Sequence, residues 1–123
     1  MPTQTSPPGT APTAARALEH PAAGAIRIEE LLHALSDPIR LHVVRALDTA
    51  PGELSCSDFA LPISKSTCTH HFRVLRECGV ISQFYRGTAK MNLLRRAELD
   101  ELFPGLLDSV LHGAARQDAR DAG

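Results

Sequence analysis

Residues 61–81 read LPISKSTCTHHFRVLRECGVI. Leu61-Pro62-Ile63 makes a turn, and Ser64 is placed to cap a helix by accepting a free backbone N–H of its first turn. The helix runs from Lys65 to Cys78 and stops at Gly79, the residue that takes a left-handed conformation at no steric cost. Val80 and Ile81 then lead into a strand. Within the helix Cys68, Phe72 and Leu75 recur at i, i+4 and i+7, a single inward stripe. The opposite face carries Lys65, Ser66, Thr69, His70, Arg73 and Arg76, with no carboxylate until Glu77. Donors of these kinds reach phosphate oxygens and the edges of bases, so the pattern predicts a helix that lies on DNA.

The charge around this helix supports that reading, although the net charge of the chain is only −1. Residues 1–61 are net −3, residues 62–96 are net +6, and residues 97–123 are net −4. The basic centre is built from Lys65, Arg73, Arg76, Arg86, Lys90, Arg95 and Arg96 against one acid, Glu77. A cationic block between acidic ends implies a localised anion-binding surface that a whole-chain charge conceals. The bland alternative is a solvated charged face.

A chain of 123 residues fits one domain with a modest core. Tryptophan is absent and only 4% of residues are aromatic, so that core must be aliphatic. No 18-residue apolar run is present, which predicts no membrane span. The N-terminus has no apolar leader core, so the expected compartment is the cytoplasm. Three cysteines, an odd number, argue against a secreted disulfide scaffold.

Outward from the central helix, residues 1–24 are rich in Pro, Thr, Ala and Gly and are expected to be a disordered tail, with a weak helix signal over Arg16–His20. Ile28, Leu31, Leu32 and Leu35 mark a first helix ending near Ser36. Ser36 is expected to cap a second helix, with Pro38 in its first turn and Ile39, Val43, Val44 and Leu47 inward. Pro51-Gly52 breaks the chain, and a short third helix capped by Ser55 turns Cys56, Phe59 and Ala60 inward. Val80–Phe84 and Ala89–Leu93 read as two strands, joined through Tyr85-Arg86-Gly87-Thr88 with Arg86 at the hairpin tip. Leu99, Leu102, Phe103, Leu106, Leu107, Val110 and Leu111 share one helical face, with a new helix starting at Pro104. Residues 113–123 are expected to be a flexible tail.

The order predicts a mainly α fold with a β-hairpin wing, a winged helix-turn-helix occupying residues 25–112. The expected DNA-binding set is Ser64, Lys65, Ser66, Thr69, His70, His71, Arg73 and Arg76 on the helix, with Arg86 and Lys90 on the wing. His71 lies at the edge of the buried stripe, where a structural hydrogen bond competes with a DNA contact. Ser64 and Ser66 combine capping with a place at a helix N-terminus, which favours phosphate.

The sequence resembles the ArsR/SmtB family of bacterial winged helix-turn-helix repressors. Leu35-Ser36-Asp37-Pro38-Ile39-Arg40-Leu41 is similar to the L-x-D-P-x-R-L that opens that family's second helix. Ser64-Lys65-Ser66, Thr69, His71-Phe72, Leu75 and Gly79-Val80-Ile81 resemble its recognition pattern S-x-S-x-x-S-x-H-L-x-x-L-x-x-x-G-L-V. The likeness covers roughly residues 26–112 and implies a homodimer that binds an inverted-repeat DNA operator and is released by an effector. It implies an interface on the first and last helices, here Ile28, Leu31, Leu32, Leu35, Leu106, Leu107, Val110 and Leu111.

The family's sensory sites do not transfer. Where arsenic-type members carry E-L-C-V-C-D-L, this chain has Glu53-Leu54-Ser55-Cys56-Ser57-Asp58-Phe59, with serine at both thiol positions. Of the zinc-type ligands, the last helix offers only Asp108 and His112. No metal or other cofactor is therefore assigned. Cys56 and Cys68 are the candidate redox or effector pair, and Cys56, Cys68 and Cys78 as small buried hydrophobes are the plain alternative. A phosphate-binding Gly loop, H-E-x-x-H and a nucleophile elbow are all missing, so no catalytic residue is expected. The other function class left open is a winged helix used for protein contact without DNA binding.

Overall fold

The computed structural model describes residues 16–123. Its elements in order are β1 (Arg16–Ala17), a 3-10 turn (Ala23–Ala25), α1 (Ile28–Leu35), α2 (Pro38–Thr49), β2 (Leu54–Ser55), a second 3-10 turn (Cys56–Phe59), α3 (Lys65–Glu77), β3 (Ile81–Arg86), β4 (Ala89–Leu94), α4 (Arg96–Leu102) and α5 (Leu106–Ala122). The four strands form one antiparallel sheet in the order β1-β3-β4-β2. This is the winged helix-turn-helix expected from sequence. Among the described residues no helix is long and apolar enough to cross a membrane.

The core is aliphatic, as the composition requires. Leu31 and Leu35 of α1, Val43, Val44 and Leu47 of α2, Leu75 of α3, Val80 and Ile81 at the start of the wing, Leu99 of α4 and Leu107 of α5 are buried together. Phe72 packs into them from α3 and meets Phe59 with ring centroids 5.4 Å apart.

Several boundaries differ from the sequence reading. Asp37, not Ser36, caps α2: its Oδ2 accepts the N–H of Ile39 at 2.8 Å and of Arg40 at 3.1 Å. A carboxylate is the stronger acceptor for free N–H groups at a positive helix end. Ser36 instead closes α1, its hydroxyl donating to the His33 carbonyl. Burial opposes ionisation of Asp37, but those backbone N–H bonds and His71 outweigh it and hold its carboxyl below the usual range. The third helix is a single 3-10 turn, boxed by Ser55 and Asp58, and Ala60 turns outward at φ 48° rather than inward.

The ends are more ordered than expected. Residues 1–15 of the proposed tail lie outside the described residues. Arg16–His20 form neither a tail nor the expected helix; they run along the wing, with Arg16 paired to Tyr85, Ala17 to Phe84, and the Leu18 N–H donating to the Gln83 carbonyl. At the other end α5 continues to Ala122 through the segment expected to be flexible. The break before it is Pro104-Gly105, with Gly105 at φ 79°, so α5 starts two residues later than the proline suggests. The wing turn is only Gly87-Thr88, which makes Arg86 the last residue of β3, paired with Ala89, rather than the tip.

Candidate nucleic-acid interface

The face of α3 that turns to solvent begins at its cap. Ser64 Oγ accepts the Thr67 N–H at 3.2 Å. Ser64, Lys65, Ser66, Thr69, His70 and Arg73 are exposed, and Thr67, which the sequence reading passed over, is exposed beside them. Phe72 and Leu75 are buried and Cys68 half-buried, so the inward stripe stands as read.

Two residues of the expected DNA-binding set face elsewhere. Arg76 lies between α3 and the wing, where its Nη1 donates to Gln83 Oε1 at 2.6 Å. His71 is turned inward: Arg40 Nη1 lies 3.1 Å from its Nδ1, and Asp37 Oδ2 lies 3.8 Å from its Nε2. Arginine can only donate, so Nδ1 is the accepting atom in this contact. The same buried Arg40 donates to the Ala34 carbonyl at 2.8 Å and the His33 carbonyl at 3.2 Å, closing the free end of α1. His71 thus ties α3 to the junction of α1 and α2.

The cationic block is also thinner than its sequence suggests. Arg86 makes a two-point pair with Glu53, at 2.7 and 3.0 Å, which holds the Glu53 carboxyl below its ordinary value. Arg95 is similarly forked onto Glu98, and Arg96 is shared among Asp48, Asp100 and Asp108. Of the seven central cations only Lys65, Arg73 and Lys90 have neither a carboxylate nor a buried partner among the described residues. These three lie on α3 and the wing, where an anion would be met.

Behind them runs a polar chain that the sequence reading missed. Gln83 and Asn92 sit opposite each other in β3 and β4, both buried, with Gln83 Nε2 donating to Asn92 Oδ1 at 2.9 Å. Asn92 Nδ2 donates in turn to the Leu54 carbonyl at 3.1 Å and approaches Cys56 Sγ at 3.6 Å. With Arg76 at its other end, the chain joins α3, the wing and the Cys56 turn. The signal was present: Ile81, Gln83 and Tyr85 alternate on one strand face, and a polar side chain on the buried parity requires a partner.

A groove of about 360 Å³ separates α3 from the wing, with Lys65, Thr69 and Cys68 on one bank, Tyr85 and Lys90 on the other, and Cys56 also in its lining. Burial, and then the neighbouring Cys56, push the Cys68 thiol above its ordinary value. Among the described residues no three His, Cys, Asp or Glu side chains are grouped to hold a metal, and Asp108 is engaged by Arg96. Of the expected interface residues, Leu31, Leu35 and Leu107 belong to the chain's own core and cannot serve a partner. Ile28 and Leu32 are 44% and 47% exposed on α1, and Leu106, Val110 and Leu111 are half-buried on α5.

A capped helix with a polar outward face, followed by a hairpin across a groove, defines a DNA-reading winged helix-turn-helix. Residues 35–83 match the helix-turn-helix domain family. An HTH-type transcriptional regulator of Bacillus subtilis (strain 168), YceK, is 32% identical over 83 residues, spanning 66% of this chain and 83% of that protein. The crystal structure of the transcriptional repressor BigR from Xylella fastidiosa superposes with a TM-score of 0.50 at 27% identity, over 62% of this chain and 85% of that one. An ArsR-like transcriptional regulator from Rhodococcus sp. RHA1 gives 0.51 at 25% identity, over 76% and 85%. The chain belongs to the ArsR/SmtB family of winged helix-turn-helix transcriptional regulators. It is a DNA-binding regulator and not an enzyme.

Proposed function

We propose that this regulator is a cytoplasmic repressor that binds an inverted-repeat operator as a homodimer, with α3 in the major groove. The observation that carries the reading is the sorting of cations: Lys65, Arg73 and Lys90 remain free on α3 and the wing while Arg86, Arg95 and Arg96 are matched to acids. In this reading Ser64, Ser66 and Lys65 hold phosphates at the helix N-terminus, and Thr69, His70 and Arg73 face base edges. Arg86 contributes only by exchanging Glu53 for a phosphate, an exchange that an exposed Arg86 and a half-buried Glu53 permit. Replacing Arg73 by Ala is expected to weaken binding to a duplex selected by the wild-type chain from a random pool by about tenfold to a hundredfold. Binding to a scrambled duplex should fall much less, and equal losses on both would exclude base reading by Arg73.

The dimer rests on Ile28 and Leu32, two large apolar side chains left in water on α1, with half-buried apolar residues on α5 to extend the surface. Twofold symmetry then sets the half-sites about 34–36 Å apart or a multiple of that. Leu32→Asp is expected to leave helical circular dichroism intact while shifting the sedimentation coefficient from dimer to monomer. An unchanged dimer would place the interface elsewhere.

Release is proposed to run through Cys56 and Cys68, which border one groove under the DNA-reading face. Oxidation by peroxide takes two thiols and one H2O2 to a disulfide and two waters. Joining the Cys56 turn to α3 would strain the polar chain from Asn92 to Arg76. A Cys56→Ala, Cys68→Val double variant should keep its DNA affinity under peroxide, and loss equal to wild type would refute thiol sensing.

A further inference from the structure

We infer that the segment before α1 adds a strand to the wing and thereby delivers Arg16 as a further DNA-phosphate contact, an inference that rests on the DNA-binding reading above. Tyr85 is flanked in the sheet by Arg16 on β1 and Lys90 on β4, so the three side chains form a row across one face. The Arg16 guanidinium carbon lies 5.2 Å from the centre of the Tyr85 ring, and Lys90 Nζ lies 5.7 Å from it. Two cations therefore converge on one ring, an arrangement that the ring's face partly stabilises. Neither has a carboxylate partner among the described residues, and residues 1–15 contain no Asp or Glu that could neutralise Arg16. Like charges held together without a counterion favour an anion between or beside them. Tyr85 and Lys90 form the wing bank of the groove whose other bank holds Lys65 and Thr69. A phosphate backbone entering that groove meets Lys65 on one side and the Lys90–Arg16 row on the other.

The position of Arg16 is fixed by four ties, not by a loose tail. Its own strand pairs with β3, and the Leu18 N–H donates to the Gln83 carbonyl at 3.1 Å. The Gln83 N–H donates to His20 Nε2 at 2.8 Å, so an imidazole nitrogen stands where a strand carbonyl would continue the ladder. Arg95 Nη1 donates to the Pro21 carbonyl at 2.9 Å. An accepting Nε2 requires a neutral ring, and burial, followed by the charges of Arg95 and Arg76, holds His20 below its ordinary value. These ties place Arg16 in one register with Tyr85, where a disordered arm would leave it anywhere.

The test measures binding of the full chain to a mixed-sequence duplex as a function of salt, because a phosphate contact acts on any sequence. Arg16→Ala is expected to flatten the log–log salt slope by about 0.9 for each Arg16 removed from the complex, and Arg16→Lys to restore it. Leu18→Pro keeps Arg16 but removes the N–H that holds β1, and it should flatten the slope by the same amount. An unchanged slope in Arg16→Ala overturns the contact. A normal slope in Leu18→Pro with a flattened one in Arg16→Ala overturns the strand, leaving Arg16 as a tail charge. A wild-type chain that binds no duplex at any salt sinks the DNA reading itself.

Discussion

Gly79→Ala is expected to destabilise the domain by about 2–5 kcal/mol, from left-handed strain of roughly 1–2 kcal/mol and overpacking of roughly 1–3 kcal/mol. Gly79 closes α3 at φ 86°. Its N–H donates to the Arg76 carbonyl at 3.0 Å and the Val80 N–H to the Leu75 carbonyl at 2.9 Å, the paired bonds of a Schellman stop. Leu75 and Val80 are both fully buried, which supplies the hydrophobic contact that accompanies this motif. A Cβ at Gly79 would stand 2.5 Å from Ile26 Cγ1 and 2.7 Å from Cδ1. Ile26 is itself in the core at 7% exposure, so it cannot simply swing into water. Thermal unfolding should fall by on the order of 10 °C or more for a domain of this size. Gly87 provides the control: it has φ 67° but open space around its missing Cβ, so Gly87→Ala should carry the strain without the clash. Equal losses at the two sites would refute the contact with Ile26. The same stop sets the direction in which the chain leaves α3 for the wing, so losing it should also weaken DNA binding.

Gly79 shows why part of this fold can be read directly from its sequence. A helix stop, the Ser64 cap and the Cys68–Phe72–Leu75 stripe depend on residues within a few positions of one another, and each is where local chemistry puts it. What could not be read are matters of distant partners. The cationic count of residues 62–96 could not reveal that Arg86 is answered by Glu53, or Arg96 by Asp48 and Asp108. Arg76 and His71 sit at helical positions next to the polar face, and a shift of some tens of degrees decides whether such a side chain meets solvent or a neighbour. Gln83 and Arg40 drew those two inward, and neither lies in the same element. The β1 strand has only two residues, too few for any alternation, and composition alone assigned it to a tail. Ser36 and Asp37 are adjacent and both able to cap, so only the backbone geometry separates them.

Asn92→Leu is expected to be nearly as damaging as the Gly79 change, about 2–4 kcal/mol, although leucine is nearly the same size. It strips a partner from the buried Gln83 Nε2, a loss of roughly 1–3 kcal/mol, and from the half-buried Leu54 carbonyl, a loss of roughly 1 kcal/mol. Gln83→Leu should act similarly by stranding Asn92 Oδ1 and Arg76 Nη1. Arg76 Nε is buried without a hydrogen-bond partner among the described residues, so Gln83 supplies the one side-chain bond found there for this guanidinium. The double variant removes both ends of the central bond. Its loss should fall short of the sum of the single losses by about 1–2 kcal/mol, measured as a coupling energy in urea unfolding. Simple additivity would mean that the two amides do not depend on each other. The prediction reaches function because Arg76 belongs to α3 while Gln83 and Asn92 belong to the wing. Neither amide is exposed, so neither can touch DNA, yet cutting their bond releases the Gln83 side chain that holds Arg76 of α3 against the wing. Affinity for the selected duplex should therefore fall in the single variants even under conditions where they are fully folded, and a folded Asn92→Leu with wild-type affinity would show that the wing is positioned by its apolar contacts alone.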